Sequence, residues 1–147
     1  MEYKLIIAEK FSVGQSIAAV VGASDRHDGY LQGGGYIVTW CIGHLVSLAD
    51  ADQYSERFKK WCCEDLPILP GQWKYIIPND KRKQFSVIRD LTARSDVTML
   101  ICATDAGREG ELIFRFVYEM TGCKKPFSRL WISSMEDSAV REGLTHL

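Results

Sequence analysis

"VTMLICATDAGREGELIFR", residues 97 to 115, opens on seven almost wholly apolar residues and runs into a charged, glycine-bearing turn. Val97 to Ala103 reads as a strand buried on both faces, because a strand with one wet face alternates polar with apolar positions and this one does not. From Arg108 to Gly122 the spacing becomes helical. Leu112, Ile113, Phe116, Val117 and Met120 are expected to form its buried face, and Glu111 and Arg115, one turn apart, to pair. Gly107 and Gly110 let the backbone between strand and helix turn tightly and approach a ligand closely. A buried strand followed by a helix is the unit of a parallel sheet, whose strands need a crossover connection.

The unit recurs outward from this stretch. "YKLIIA" (3–8) is a second fully apolar strand, and "EKFSVGQSIAAVVG" (9–22) follows it. There Ser12 and Gln15 are expected to form a capping box, Val13, Ile17, Val20 and Val21 to share a face, and Gly22 to end the helix. The glycine turn "QGGG" (32–35) leads into the strand "YIVTWCI" (36–42). Residues 50–79 read as irregular, with a short helix at "YSERFKKW" (54–61) and an extended, proline-punctuated stretch "DLPILPGQWKYIIP" (65–78). Asp80 is expected to cap a helix running to about Arg94, with Phe85, Ile88 and Leu91 inward. "SRLWI" (128–132) is a further strand, and a last helix is expected from Ser133 or Ser134 towards Leu147. Trp40, Trp73 and Trp131 read as core or packing residues. Strands alternating with helices predict an α/β fold with a mainly parallel sheet covered on both faces, and ligands beyond the carboxyl ends of its strands.

Composition sets bounds. At 147 residues, 46% of them apolar, residues 1–147 suffice for one α/β domain with a real core. No apolar run approaches the roughly 20 residues that cross a bilayer, so a soluble, cytoplasmic protein without a membrane partner is expected. Cys41, Cys62, Cys63, Cys102 and Cys123 are odd in number and form no C-x-x-C pair, which argues for free thiols over a zinc site or a disulfide scaffold. The net charge is -1. A free-standing nucleic-acid binder usually carries a basic excess, so such binding would rest on local patches or on parts beyond this chain.

Two strand ends carry acids that packing does not need. Glu9 closes the first strand, Asp105 closes the strand 97–103, and Glu109 lies in the first turn of the next helix. On neighbouring strands the three carboxylates would converge and raise at least one pKa unless compensated. A Mg²⁺ ion would relieve them, since it is commonly held by one or two carboxylates together with waters and substrate phosphate. In the alternative reading Glu9 pairs Lys10, while Asp105 and Glu109 pair Arg108 or act as helix-end charges. Spacing leaves both open. "RFKKW" (57–61) could meet phosphates through Arg57, Lys59 or Lys60 and stack a base on Trp61, or be a solvated helix end. His44 could touch phosphate, although a loop-fixing hydrogen bond is the favoured role. Arg108 could reach a phosphate, and without nucleic acid is expected to neutralise the acids. "DKRKQ" (80–84) reads as the solvated side of a helix, and Arg129, before "LWI", could point towards the same edge as the acids, which the sequence leaves open.

"LIIAEK" (5–10), "VTWCIGHL" (38–45), "DLPILPGQWKY" (65–75), "ATDAGREGELIFR" (103–115) and "RLWISSM" (129–135) together resemble the amino-terminal segment of bacterial type IA DNA topoisomerases, of the topoisomerase III branch. The likeness runs over essentially the whole chain. What is resembled is the family's Toprim domain, and it implies a Rossmann-like, mainly parallel four-stranded sheet with helices on both faces. In that family a tyrosine attacks single-stranded DNA, forms a 5′-phosphotyrosyl link and reseals the strand without ATP. The resemblance implies Glu9 and Lys10 as catalytic residues, and Glu9, Asp105 and Glu109 as the residues that hold Mg²⁺. It also implies that the region of Lys60 and Trp61 borders the DNA path, and these two with Arg108 and His44 are the expected DNA contacts. The expected partners are single-stranded DNA and the remaining domains of a longer enzyme, in the bacterial cytoplasm at the nucleoid, with this segment itself monomeric. Tyr3, Tyr30, Tyr36, Tyr54, Tyr75 and Tyr118 do not match the family's nucleophile, so none is expected in this chain. Gly107 departs from the family, which often has a second aspartate there, and Phe11 replaces a frequent proline. A Toprim nuclease or primase-like polymerase, or a non-catalytic metal- or nucleic-acid-binding module, are the rival readings. "VTWCIGHL" and "DLPILPGQWKY" speak against them, since these motifs follow the topoisomerase pattern and serve no metal site.

Overall fold

The computed structural model describes residues 1–147. In chain order its strands and α-helices are β1 (Tyr3–Ala8), α1 (Phe11–Val21), β2 (Asp25–His27), β3 (Tyr30–Gly33), β4 (Tyr36–Trp40), β5 (Ser47–Leu48), β6 (Tyr75–Ile76), α2 (Arg82–Ala93), β7 (Val97–Ala103), α3 (Arg108–Met120), β8 (Phe127–Arg129) and α4 (Asp137–Thr145). The main sheet runs in the order β2-β3-β4-β1-β7-β8, and β5 and β6 pair apart from it. β4, β1, β7 and β8 are parallel, while β2 and β3 extend the sheet in antiparallel pairing.

The expected parallel sheet with helices on both faces is present, and the strand count needs correction from four to six. The two additional strands were hidden from a pattern search for a physical reason. β2 is polar and exposed along its whole length, and β3 is half-buried throughout, so neither shows the alternation or apolar run that marks a strand. A tight turn joins β3 to β4. Gly34 has φ +58°, and a Cβ there would stand 2.1 Å from the Val21 carbonyl oxygen, so only glycine lets the turn lie against the end of α1.

β1 shows why the central strands must be apolar on both sides. Leu5 and Ile7 face a core shared with Phe85, Ile88 and Leu91 of α2 and with Ile113, Phe114 and Val117 of α3. Ile6 points the other way, to Ile17 and Ala18 of α1 and Val140 of α4. The register is direct, with Ala8 opposite Trp40 on one side and Ala103 on the other. The carboxyl ends of β1, β4 and β7 therefore finish at one edge.

Several local expectations differ from the structure. α1 starts at Phe11 with Lys10 as the residue before it, so Ser12 lies inside the helix and makes no cap. Asp80 sits in a 3₁₀ turn, Asn79–Lys81, and α2 begins only at Arg82. α4 begins at Asp137, and Ser134 instead accepts a hydrogen bond from the Glu136 N–H. In α3 the fully buried aromatic is Phe114, whereas Leu112 is 39% exposed. Trp40 packs against Phe11 with ring centres 4.7 Å apart, but Trp73 and Trp131 stand out in solvent. The short 54–61 helix is a 3₁₀ turn, Glu56–Lys59, whose first free N–H, on Arg57, is met by the Ser55 hydroxyl. All five cysteines are free. No helix is long and apolar enough to cross a membrane.

Candidate active site

The strand-end edge is assembled from three loops. After β7, the chain turns through Asp105, Ala106 and Gly107 into α3, with Gly107 extended at φ 176°. Gly110 makes this turn possible, since a Cβ there would fall 2.1 Å from the Asp105 carbonyl oxygen. The buried Thr104 hydroxyl closes it by donating to the Gly110 carbonyl at 2.7 Å. After β1, Glu9 reaches across to this turn, and its Oε2 accepts the Asp105 backbone N–H at 3.0 Å. After β4, the loop 41–46 brings His44 Nε2 against Glu109 Oε1. That third loop is anchored from behind by Lys81 Nζ, which donates to the His44 carbonyl at 2.7 Å.

Glu9 and Asp105 thus stand side by side on adjacent strands, and Asp105 is exposed without an ion-pair partner. Glu109 lies on the same edge but is turned to His44. The expectation that Arg108 neutralises the acids does not hold: Arg108 is exposed and forms no ion pair, and Glu109 meets His44 instead. Lys10, beside Glu9, is likewise exposed and unpaired. Lys60 and Trp61 lie in the irregular segment after the Glu56–Lys59 turn, with no hydrogen bond or ion pair to the strand-end acids, and Trp61 is 85% exposed.

The sequence left open whether Arg129 points towards the acidic edge, and the structure places it there. Its side chain, 16% exposed, donates from Nε to Glu111 Oε2 at 2.9 Å and from Nη1 to the Thr104 carbonyl at 3.0 Å. It thereby ties β8, the end of β7 and the first turn of α3 together directly behind Asp105. The signal available in the sequence was an arginine at the end of a strand, which only the neighbouring register makes informative. Arg115 donates to the other oxygen of Glu111 at 2.6 Å. Arg115 first, with Arg129 adding to it against the opposing effect of burial, holds the Glu111 carboxyl below its ordinary 4.5. Glu111 is therefore a structural charge.

The donor set on this edge fits a hard cation. Beneath the acids, burial pushes the Cys41 thiol up to about 12 and raises Cys102 as well, so neither supplies a thiolate at neutral pH. The oxygen donors facing solvent are the carboxylates of Asp105 and Glu109, with Glu9 half-buried beside them. They form no three-residue cage of acids, histidines or cysteines around one point. Two adjacent carboxylates with an open side suit Mg²⁺, which usually keeps several waters and completes its shell with substrate phosphate.

The Toprim domain family matches residues 4–135. The chain is 44% identical over its 147 residues to a DNA topoisomerase 3 of Shouchella clausii, and 45% identical over the same length to one of Bacillus subtilis. A DNA topoisomerase 3 of Bacillus anthracis is 46% identical over 147 residues. In each case the match takes in the whole of this chain and 20% of the relative, so the chain spans about a fifth of the length of these curated relatives.

Proposed function

The chain belongs to the Toprim domain family, and from that premise we propose that it is the Toprim domain of a longer bacterial type IA topoisomerase, of the topoisomerase III kind, acting on single-stranded DNA. The observation that carries the reading is the 44–46% identity over the entire chain to proteins named DNA topoisomerase 3. The paired strand-end acids support it. Residues 1–147 are read as one domain that supplies half an active site, with the tyrosine nucleophile elsewhere in the parent polypeptide. The proposed location is the bacterial cytoplasm, at the nucleoid.

In the proposed reaction the tyrosine hydroxyl gives up its proton as its oxygen forms a bond to phosphorus, the bond from phosphorus to the 3′-oxygen breaks, and that oxygen takes up one proton and leaves as a hydroxyl. Resealing runs the same exchange backwards. Glu9 is suited to the proton transfer: the Asp105 N–H fixes its Oε2, and its Oε1 is free to exchange a proton with the 3′-oxygen. Lys10, unpaired beside it, offers a cation to the charge that develops on the phosphoryl oxygens. Glu9 and Asp105, with Glu109, would hold Mg²⁺, which when bound supplies positive charge to the phosphate. Arg108 and His44 are proposed phosphate contacts, and Lys60 with Trp61 a backbone-and-base contact further along the strand.

The test is ATP-free, Mg²⁺-dependent relaxation of negatively supercoiled DNA by the parent polypeptide. Glu9→Gln is expected to reduce strand cleavage by about 100-fold or more. Undiminished cleavage by that variant, or no Mg²⁺-dependent relaxation by the parent, would overturn the reading.

A further inference from the structure

Apart from Lys60 and Trp61, the segment between β5 and β6 has no place in the site described above. No residue from Ser47 to Lys83 is buried, and the 3₁₀ turns Ala51–Gln53, Glu56–Lys59 and Cys63–Asp65 contribute nothing to either core. Most of its basic groups are nonetheless engaged from within. Arg57 Nε donates to Asp65 at 2.5 Å, Lys59 pairs Glu56 at 2.9 Å, and Lys74 donates its N–H to the Tyr54 hydroxyl and its Nζ to the Gln53 carbonyl, each at 2.8 Å. Its large apolar side chains are not. Leu69 is 79% exposed and Trp73 53%, with Leu66 and Ile76 also outward. Beside them lies a groove of about 530 Å³ whose walls set Tyr54, Phe58, Ile68 and Leu69 beside the polar Asp65 and Lys74.

An arm in which three of four basic side chains are engaged internally and whose aromatic and aliphatic side chains face out is built to meet an apolar protein surface. A phosphate backbone is the poorer match, since it calls for free cations and Lys60 is the arm's only basic side chain without a partner. The chain spans 20% of its relatives' length, which leaves four fifths of such a polypeptide to cover it. We propose that the 47–77 arm, through Leu66, Leu69, Trp73 and the adjoining groove, is the docking surface for the remainder of the parent polypeptide and sets the Toprim core against it. This rests on the reading above that a longer parent exists.

Hydroxyl-radical footprinting of the isolated 147-residue chain and of the parent polypeptide, both without DNA, tests it. Leu69 and Trp73 are expected to label rapidly in the isolated chain and about tenfold more slowly in the parent, as burial at an interface core requires. In the parent, Leu69→Asp together with Trp73→Asp is expected to restore rapid labelling of Leu66, with the circular dichroism of the isolated variant chain unchanged because Leu69 and Trp73 belong to neither core. Equal labelling in chain and parent overturns the proposal. Protection that rises with concentration in the isolated chain assigns the surface to a second copy and also overturns it, as does protection that appears only on adding oligothymidylate. A stop codon directly after Leu147 in the natural gene removes the parent, and with it both this proposal and the reading beneath it.

Discussion

Gly107 and Gly110, three residues apart, owe their presence to opposite causes. A Cβ at Gly107 meets nothing within 4 Å and its backbone is extended, so any residue fits there. It is also the N-cap of α3, where aspartate is among the best residues. Gly107→Asp is expected to leave stability unchanged or raise it by a few tenths of a kcal/mol, and to tighten Mg²⁺ binding by about tenfold by adding a carboxylate at the edge. Thermal melts and Mg²⁺ titration followed at Glu9 and Asp105 by NMR check both parts; weaker binding would show that a third acid does not belong there. Helix propensity alone favours Gly110→Ala, yet the clash with Asp105 predicts a loss of about 1–3 kcal/mol, and the sign of the change in a urea melt decides which effect wins. Arg129→Ala leaves Glu111 and the Thr104 carbonyl short of a donor and is expected to cost about 2 kcal/mol. Because the fold holds the Glu111 carboxyl low, that group contributes stability that is complete at neutral pH and lost as the pH falls below its ordinary 4.5. Removing Arg129 should therefore make the acid-side loss of stability shallower, as measured by urea melts between neutral and acid pH.

At the scale of elements, α3 carries two duties on two faces. Its amino-terminal turn presents Glu109 to His44, while Ile113, Phe114 and Val117 grip the sheet. Phe114→Ala is expected to cost about 3–5 kcal/mol, and Leu112→Ala less than about 1, as measured by urea denaturation. The reverse ranking would restore the face expected from spacing. That expectation erred because an apolar run of three, Leu112 to Phe114, with Phe116 and Val117 close behind, fits two overlapping helical stripes, and only the direction in which α3 crosses the sheet selects one. The 3₁₀ turns and the β2–β3 extension were illegible for a related reason. They bury little, so burial left no pattern in their sequence.

For the whole molecule, the strand ends of β1 and β7 supply acids and a lysine but no matching nucleophile, so the isolated 147-residue chain is expected not to relax supercoiled DNA with Mg²⁺; relaxation seen on an agarose gel with purified chain would refute the half-site reading. The amino-acid sequence by itself determined the α/β class, the parallel central strands, the acids at their ends and the likeness to type IA topoisomerases. It could do so because central strands must be apolar on both faces and because strand-end acids have no packing purpose, and both facts are local. Which acids meet which partners was decided only by the tertiary structure. Glu9 touches Asp105 because Ala8 and Ala103 are paired in register, Glu109 meets His44 in place of Arg108 because the loop after β4 is pinned by Lys81, and Arg129 backs the site because β8 lies next to β7. Each of these contacts joins residues far apart along the chain, and it is sheet order, a property of the packed molecule, that makes them neighbours.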